Sequence, residues 1–112
     1  MKKVEAVIRP EKLDEVREAL DAHGFSGITA TEVKGRGKQK GVLLEWRVGE
    51  YRVEFLPKVK LEMIVEDKHV NTVVETIESI CTTGQIGDGK IFISPVEQVI
   101  RLSTKESGVV AI

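Results

Sequence analysis

The stretch TGQIGDGKIF sets Gly84, Gly87 and Gly89 close together and follows them with Lys90. Glycines let the backbone approach an anion closely, so several N–H groups can converge on a phosphate while an ammonium neutralises it. Gly84 through Lys90 match the spacing GxxxxGK, yet Ile91 stands where a Ser or Thr would ligate magnesium, and the loop leads from a predicted helix into a predicted strand rather than the reverse. A Walker-type loop is excluded on those grounds. Two readings remain open for the stretch alone, a phosphate loop of another kind or a tight GDG turn feeding a strand.

Further cations favour the phosphate reading. Lys58, Lys90 and Arg101 fall at the boundaries of predicted strands, where they could converge near one sheet edge. Lys34, Arg36, Lys38 and Lys40 recur at every second position, which in an extended chain points four cations to one side. Nucleic acid is a rival occupant. Against it, 17 basic and 18 acidic residues leave a formal net charge of −1, and no aromatics interleave the basic run for base stacking. A nucleotide-sized anion suits the pattern better.

The elements that must position these groups come in two copies of one order. In KKVEAVIR, Val4, Ala6 and Ile8 alternate with charged residues, as in a strand with one buried face, and Pro10 stops it. From Glu11 to Ala22, Leu13, Val16, Ala19 and Leu20 recur at helical steps with acidic residues in the first turns, and Gly24 supplies the stop. A second strand runs from Ile28 to about Lys34. The later half repeats this: Val59, Leu61, Met63 and Val65 alternate, Asp67 can cap a helix reaching Thr82, and KIFISPV forms another strand. The sum is βαββαβ, an α+β ferredoxin-like sheet with both helices on one face. Its other face would carry Val7, Thr31, Glu62 and Ile64, a set apolar enough to predict self-association.

Between the halves, about residues 37–56 make a connection far longer than a hairpin loop, which marks it as functional or disordered. Its first part, KGRGKQKG, is basic and glycine-rich, whereas VLLEWRVGEYRVEF has the alternation of a foldable hairpin. Trp46 and Tyr51 can anchor a protein interface or simply pack the hairpin, and Arg47 can enter a partner's cavity or stay solvated.

At 112 residues and 41% apolar content the chain suits one domain with one core. The single cysteine, Cys81, lies on the apolar side of VVETIESIC, which places it in the core rather than among reactive thiols, and no signal-peptide or spanning pattern is present, so a soluble cytoplasmic protein is expected. No nucleophile–base pair or metal cluster points to an enzyme: His23 and His69 are far apart, and His23 suits a helix C-terminus.

Taken in order, KKVEAVIRPEKLDEVREAL, TEVKGRGKQKG, EYRVEFLPKVKLE and TGQIGDGKIFISPVEQVIR closely resemble the PII nitrogen-signalling family over essentially the whole chain. The resemblance implies a single domain over 1–112, a homotrimer with nucleotide in each cleft between subunits, a T-loop at 37–56, a phosphate-binding loop at 82–90 and a C-terminal segment at 101–112. It implies ATP or ADP as ligand, phosphate contacts from Gly87, Gly89, Lys90 and Arg101, and surroundings from Gly35, Gly37, Lys38, Glu62 and Ile64, with Thr29 in the adenine pocket. It also implies that Gln39 helps ligate a magnesium ion bridging ATP and 2-oxoglutarate, and that Lys58 pairs with the carboxylate of 2-oxoglutarate.

By the same resemblance, the partners are an ammonium transporter, entered by Arg47 and the protein's one route to a membrane, together with nitrogen-assimilation enzymes. A nucleotidyltransferase acting on Tyr51 completes the set. A nitrogenase-regulating branch is the alternative, because it shares a segment like GRGKQKG, but EYRVEFLPKVK favours the general branch. The chain departs from the family pattern at Ser103 and Thr82, where many relatives carry basic residues, and at Lys105, which replaces a common glycine.

Overall fold

The computed structural model describes residues 1–37 and 55–112 in full and, between them, the backbone of 42–46 and 49–53. Strand β1 (Lys2–Ile8) is followed by a 3-10 turn (Pro10–Lys12) and helix α1 (Leu13–Ala22), then β2 (Thr29–Gly35). A hairpin of β3 (Val42–Trp46) and β4 (Gly49–Val53) comes next, then β5 (Leu56–Val65), a 3-10 turn (Asp67–His69), α2 (Val70–Cys81) and β6 (Gly89–Pro95). The proline that ends β1 thus also opens the following turn, where its missing N–H costs nothing. Gly24, at φ +86°, ends α1 in the left-handed region.

Four strands form an antiparallel sheet in the order β2-β5-β1-β6. Because β5 lies between β1 and β2, and β1 between β5 and β6, the two βαβ units interleave. This is the arrangement the repeated pattern predicts, with each unit supplying the strand that splits the other. Val4, Ala6 and Ile8 of β1 and Val59, Leu61, Met63 and Val65 of β5 are buried together with Val16 and Leu20 of α1 and Val73, Ile77 and Cys81 of α2. Cys81 is therefore a core residue, and burial pushes its thiol pKa up.

Register settles the composition of the opposite face. Lys3 pairs with Ile64, Glu5 with Glu62, Val7 with Lys60, and Thr31 with Lys60, so Val7, Thr31, Glu62 and Ile64 do share the side away from the core. Phe92 pairs with Glu5 on that same side and is half exposed.

One expectation fails. Asp67 does not cap the second helix; it opens a 3-10 turn, and its carboxylate meets the Met1 amino group at 3.0 Å and Lys2 at 3.6 Å. The pattern rightly places an acidic residue at the start of the turn, but β1 and β5 are neighbours, and the amine across the sheet outcompetes the helix amides. The amino group's hydrogen bond, with Lys2 beside it, lowers the Asp67 pKa. In the insertion, the alternation of VLLEW and GEYRV does form a hairpin, with Leu44 opposite Tyr51 and Trp46 opposite Gly49. Leu56, at the end of the insertion, opens β5.

Candidate functional site: a glycine-rich loop at the sheet end

Extending the sheet register by one residue beyond Ile8 explains the site. Ile8 pairs with Val59 on one side and Gly89 on the other, so Arg9 emerges between Lys58 and Asp88. The loop from Thr83 to Gly89 folds over this junction. Asp88 accepts hydrogen bonds from the amides of Thr83 and Gly84 at 2.8 and 3.0 Å, from the Thr83 hydroxyl, and from the Arg9 guanidinium in a part-buried ion pair. The hydroxyl and amide of Thr83, assisted by Arg9, hold the Asp88 carboxyl far below the usual carboxylate range. Arg9 also donates to the carbonyl of Ile86 at 2.8 Å, and Lys58 Nζ donates to the carbonyl of Gly87 at 2.6 Å.

The glycines answer to geometry. Gly87 and Gly89 have φ of +99° and +109°, conformations that side-chain-bearing residues rarely adopt. A Cβ on Gly89 would lie 1.8 Å from the Val7 carbonyl oxygen, so only glycine lets the loop enter β6 this close to β1.

A cavity of about 610 Å³ opens beside the loop, and Gly35, Gly37, Lys58, Gly87, Gly89 and Lys90 all line it. Five of the residues expected around a nucleotide are thus brought together with Lys58, which is expected at the keto-acid carboxylate, and Val7, Arg36, Leu56 and Phe92 also line the wall. Thr29, Glu62 and Ile64 line a different cavity of about 620 Å³, walled also by Gly27 and by Val109 and Ile112 near the C-terminus. On β5, Lys58 and Ile64 are six residues apart, roughly 20 Å at the rise of an extended strand.

Arg101 lines neither cavity; its guanidinium donates to the carbonyls of Val110 and Ile112 at 3.3 and 3.2 Å. Within one chain it therefore does not converge with Lys58 and Lys90. Of the basic run, Arg36 lines this cavity while Lys34 lines an adjoining recess with Glu32 and Pro57 that shares Lys58, and Lys40 lies outside the described residues. Lys34 pairs with Pro57 on the helix side of the sheet, so the alternation is interrupted where β2 ends. Lys38, Gln39 and Arg47 lie outside the described residues, and Tyr51 is placed only as a β4 backbone position opposite Leu44.

Sequence reasoning missed Arg9, Thr83 and Asp88. The signal was present in the pairing of β1 with its two neighbours, which delivers Arg9 to the loop, but a pattern of alternation does not disclose register. His23 does sit at the C-terminal end of α1, as expected.

A family profile described as Nitrogen regulatory protein P-II matches residues 1–106. Nitrogen regulatory protein P-II 2 of Methanothermobacter thermautotrophicus is 56% identical over 108 residues, covering 96% of this chain and 94% of its own length. Nitrogen regulatory protein P-II of Azospirillum brasilense is 56% identical over 108 residues, 96% of each chain, and that of Rhizobium meliloti is 55% identical over 112 residues, the whole of both. With the sheet order, the glycine-rich loop and these matches in agreement along nearly its entire length, the chain belongs to the P-II nitrogen regulatory proteins, a family of signalling regulators.

Proposed function

We propose that this chain reports nitrogen status by binding ATP or ADP at the seams of a homotrimer and, once Mg-ATP is bound, 2-oxoglutarate. The observation that carries the reading is the division of the expected nucleotide residues into two cavities. Gly87, Gly89 and Lys90 offer amides and a cation for phosphates at one end of β5, with Lys58 beside them for the keto acid, whereas Thr29, Glu62 and Ile64 offer a partly apolar recess at the other. A site completed by a neighbouring copy, which sets its phosphate end against this chain's base end, reconciles the two. It also gives Arg101, which stands beside the second cavity's C-terminal wall, a phosphate to meet from the adjacent subunit. The half-exposed Phe92 on the uncovered sheet face supports such a contact between copies.

The reading includes a magnesium ion. An oxygen shell made of phosphate, keto acid and the Gln39 amide would suit that ion, and Lys58 would offset the keto acid's carboxylate. Ordering Gln39 around the ion would change which surface residues 37–56 present, a population shift driven by differential binding. The readers of that surface would include an ammonium transporter, met through Arg47, with nitrogen-assimilation enzymes or a nucleotidyltransferase acting at Tyr51 as further partners. The role is that of a non-catalytic cytoplasmic regulator.

Calorimetry combined with light scattering tests the reading. ATP binding to a trimer, with 2-oxoglutarate binding only when ATP and magnesium are present, is expected. A monomer, or equally tight 2-oxoglutarate binding without nucleotide, would refute it.

A further inference from the structure

The most heavily hydrogen-bonded side chain of the loop belongs to a residue to which neither spacing nor resemblance gave a role. Asp88 gathers two backbone amides, one hydroxyl and one guanidinium onto a single carboxylate. The Thr83 hydroxyl accepts from Arg9 at 3.3 Å and from the Gln85 amide at 3.2 Å, so the contacts close into a ring that fixes Thr83 through Gln85 against the end of β1. Arg9 extends the ring to Ile86, and Lys58 grips the next residue, Gly87.

We propose that Asp88 is a positioning residue for nucleotide binding: its side chain pre-sets the loop so that the amides around Gly87 and Gly89 face the phosphates. Two physical points support this. A loop with glycines at φ +81°, +99° and +109° has no conformational preference of its own to hold that shape, so the order must come from side chains. The Asp88 carboxylate held in this ring also pairs with Arg9, while Arg36, Lys58 and Lys90 are the cations lining the cavity. Preorganised amides spare the ligand the cost of ordering them on binding. Because the Gly87 carbonyl belongs to the same loop, Asp88 also sets the resting place of Lys58.

This inference rests on the nucleotide reading above, and the experiment separates the two. ATP affinity is measured by calorimetry for the natural chain, Asp88→Asn, Thr83→Val and Thr83→Ser, with a melting curve for each. Asp88→Asn keeps the shape but removes the ion pair and one strong acceptor, and it should weaken ATP binding about 10- to 100-fold, the usual worth of charge-assisted hydrogen bonds. Thr83→Val should also weaken it, whereas Thr83→Ser, which restores the hydroxyl, should rescue it at an unchanged melting temperature. A role in stability alone predicts losses of affinity that merely follow the melting temperature. Unchanged ATP affinity in Asp88→Asn, or equal affinities for the Val and Ser variants, would overturn the proposal. Failure of the natural chain to bind ATP would instead overturn the nucleotide reading itself. If Asp88→Asn does not fold, the Val and Ser pair decides alone.

Discussion

Lys58 Nζ and the carbonyl oxygen of Gly87 lie 2.6 Å apart, joining residues 29 positions distant in the chain. The contact ties the start of β5 to the glycine-rich loop and holds the ammonium proposed to meet the keto-acid carboxylate. Replacing one acceptor by another of full negative charge favours the ligand, since a carboxylate holds an ammonium more strongly than a neutral carbonyl does. Lys58→Met keeps the apolar stem and removes the charge. In the presence of Mg-ATP it should lower 2-oxoglutarate affinity by about one to two decades, the equivalent of a lost charge-assisted hydrogen bond. Titration calorimetry on the two proteins checks it, and equal affinities would remove Lys58 from the effector site.

Gly89 and Gly24 offer a controlled comparison. Both have positive φ, +109° and +86°, but a Cβ at Gly24 meets nothing within 4 Å, whereas one at Gly89 strikes the Val7 carbonyl oxygen. Gly24→Ala should therefore cost only the left-handed conformation, about 1 kcal/mol. Gly89→Ala adds a backbone collision and should cost more than about 3 kcal/mol or detach the start of β6. Urea denaturation gives both numbers, and similar values for the two variants would show that the loop relaxes around Gly89.

These contacts mark the limit of what the residues disclose in order. Val4, Ala6 and Ile8, and Val59 through Val65, announce their strands because burial on one face imposes a period of two. Val73, Ile77 and Cys81 announce a helix for the corresponding reason. The hairpin of β3 and β4 was legible in its alternation. Asp67 was misassigned because its partner, the Met1 amine, is distant in sequence and near only through pairing. Asp88 and Arg9 escaped for the same reason, since their meeting depends on the register of β1 with β6. The glycines of the loop were found because their requirement is local.

Lys105 carries a backbone strain. It is the one non-glycine residue with positive φ among the described residues, +63°, in the turn where its amide donates to Arg101 at 2.8 Å. A lysine there costs about 1 kcal/mol over a residue without a Cβ, and glycine gives part of that back through its looser unfolded chain. Lys105→Gly should stabilise the fold by about 0.5 kcal/mol and leave the turn in place. A thermal melt that falls instead would mean that the lysine side chain contributes a compensating contact.

Cys81 tests the core at the end of α2. Its thiol is buried at the edge of the core beside Ile8 of β1 and Ile91 of β6, and desolvation raises its pKa, so at neutral pH the reactive thiolate is scarce and shielded. Iodoacetamide should label the native protein slowly and the urea-unfolded protein rapidly, as read by mass spectrometry. Cys81→Ser places a hydroxyl where apolar groups crowd it and should destabilise by about 1–3 kcal/mol. Rapid labelling of the native chain would contradict the packing of this helix end.

The Asp88 carboxylate has a pH signature whose sign is fixed by its environment. Its folded pKa lies far below the ordinary value, through the Thr83 hydroxyl and amide and the Arg9 guanidinium, while in the unfolded chain it returns to about 3.9. Between those two values the unfolded state binds the extra proton, so stability rises with pH there. The Asp88 contribution is complete above the unfolded pKa and is lost as pH falls toward the folded one. Melting temperatures of the natural chain and of Asp88→Asn should therefore differ by a constant amount from about pH 5 to pH 8 and converge below about pH 4. Because the ring also involves Arg9, the convergence should persist in Arg9→Gln with a smaller starting gap, the remainder coming from Thr83 and Gly84. A gap that stays constant down to pH 2.5 would show that Asp88 is not the ionised centre of the loop.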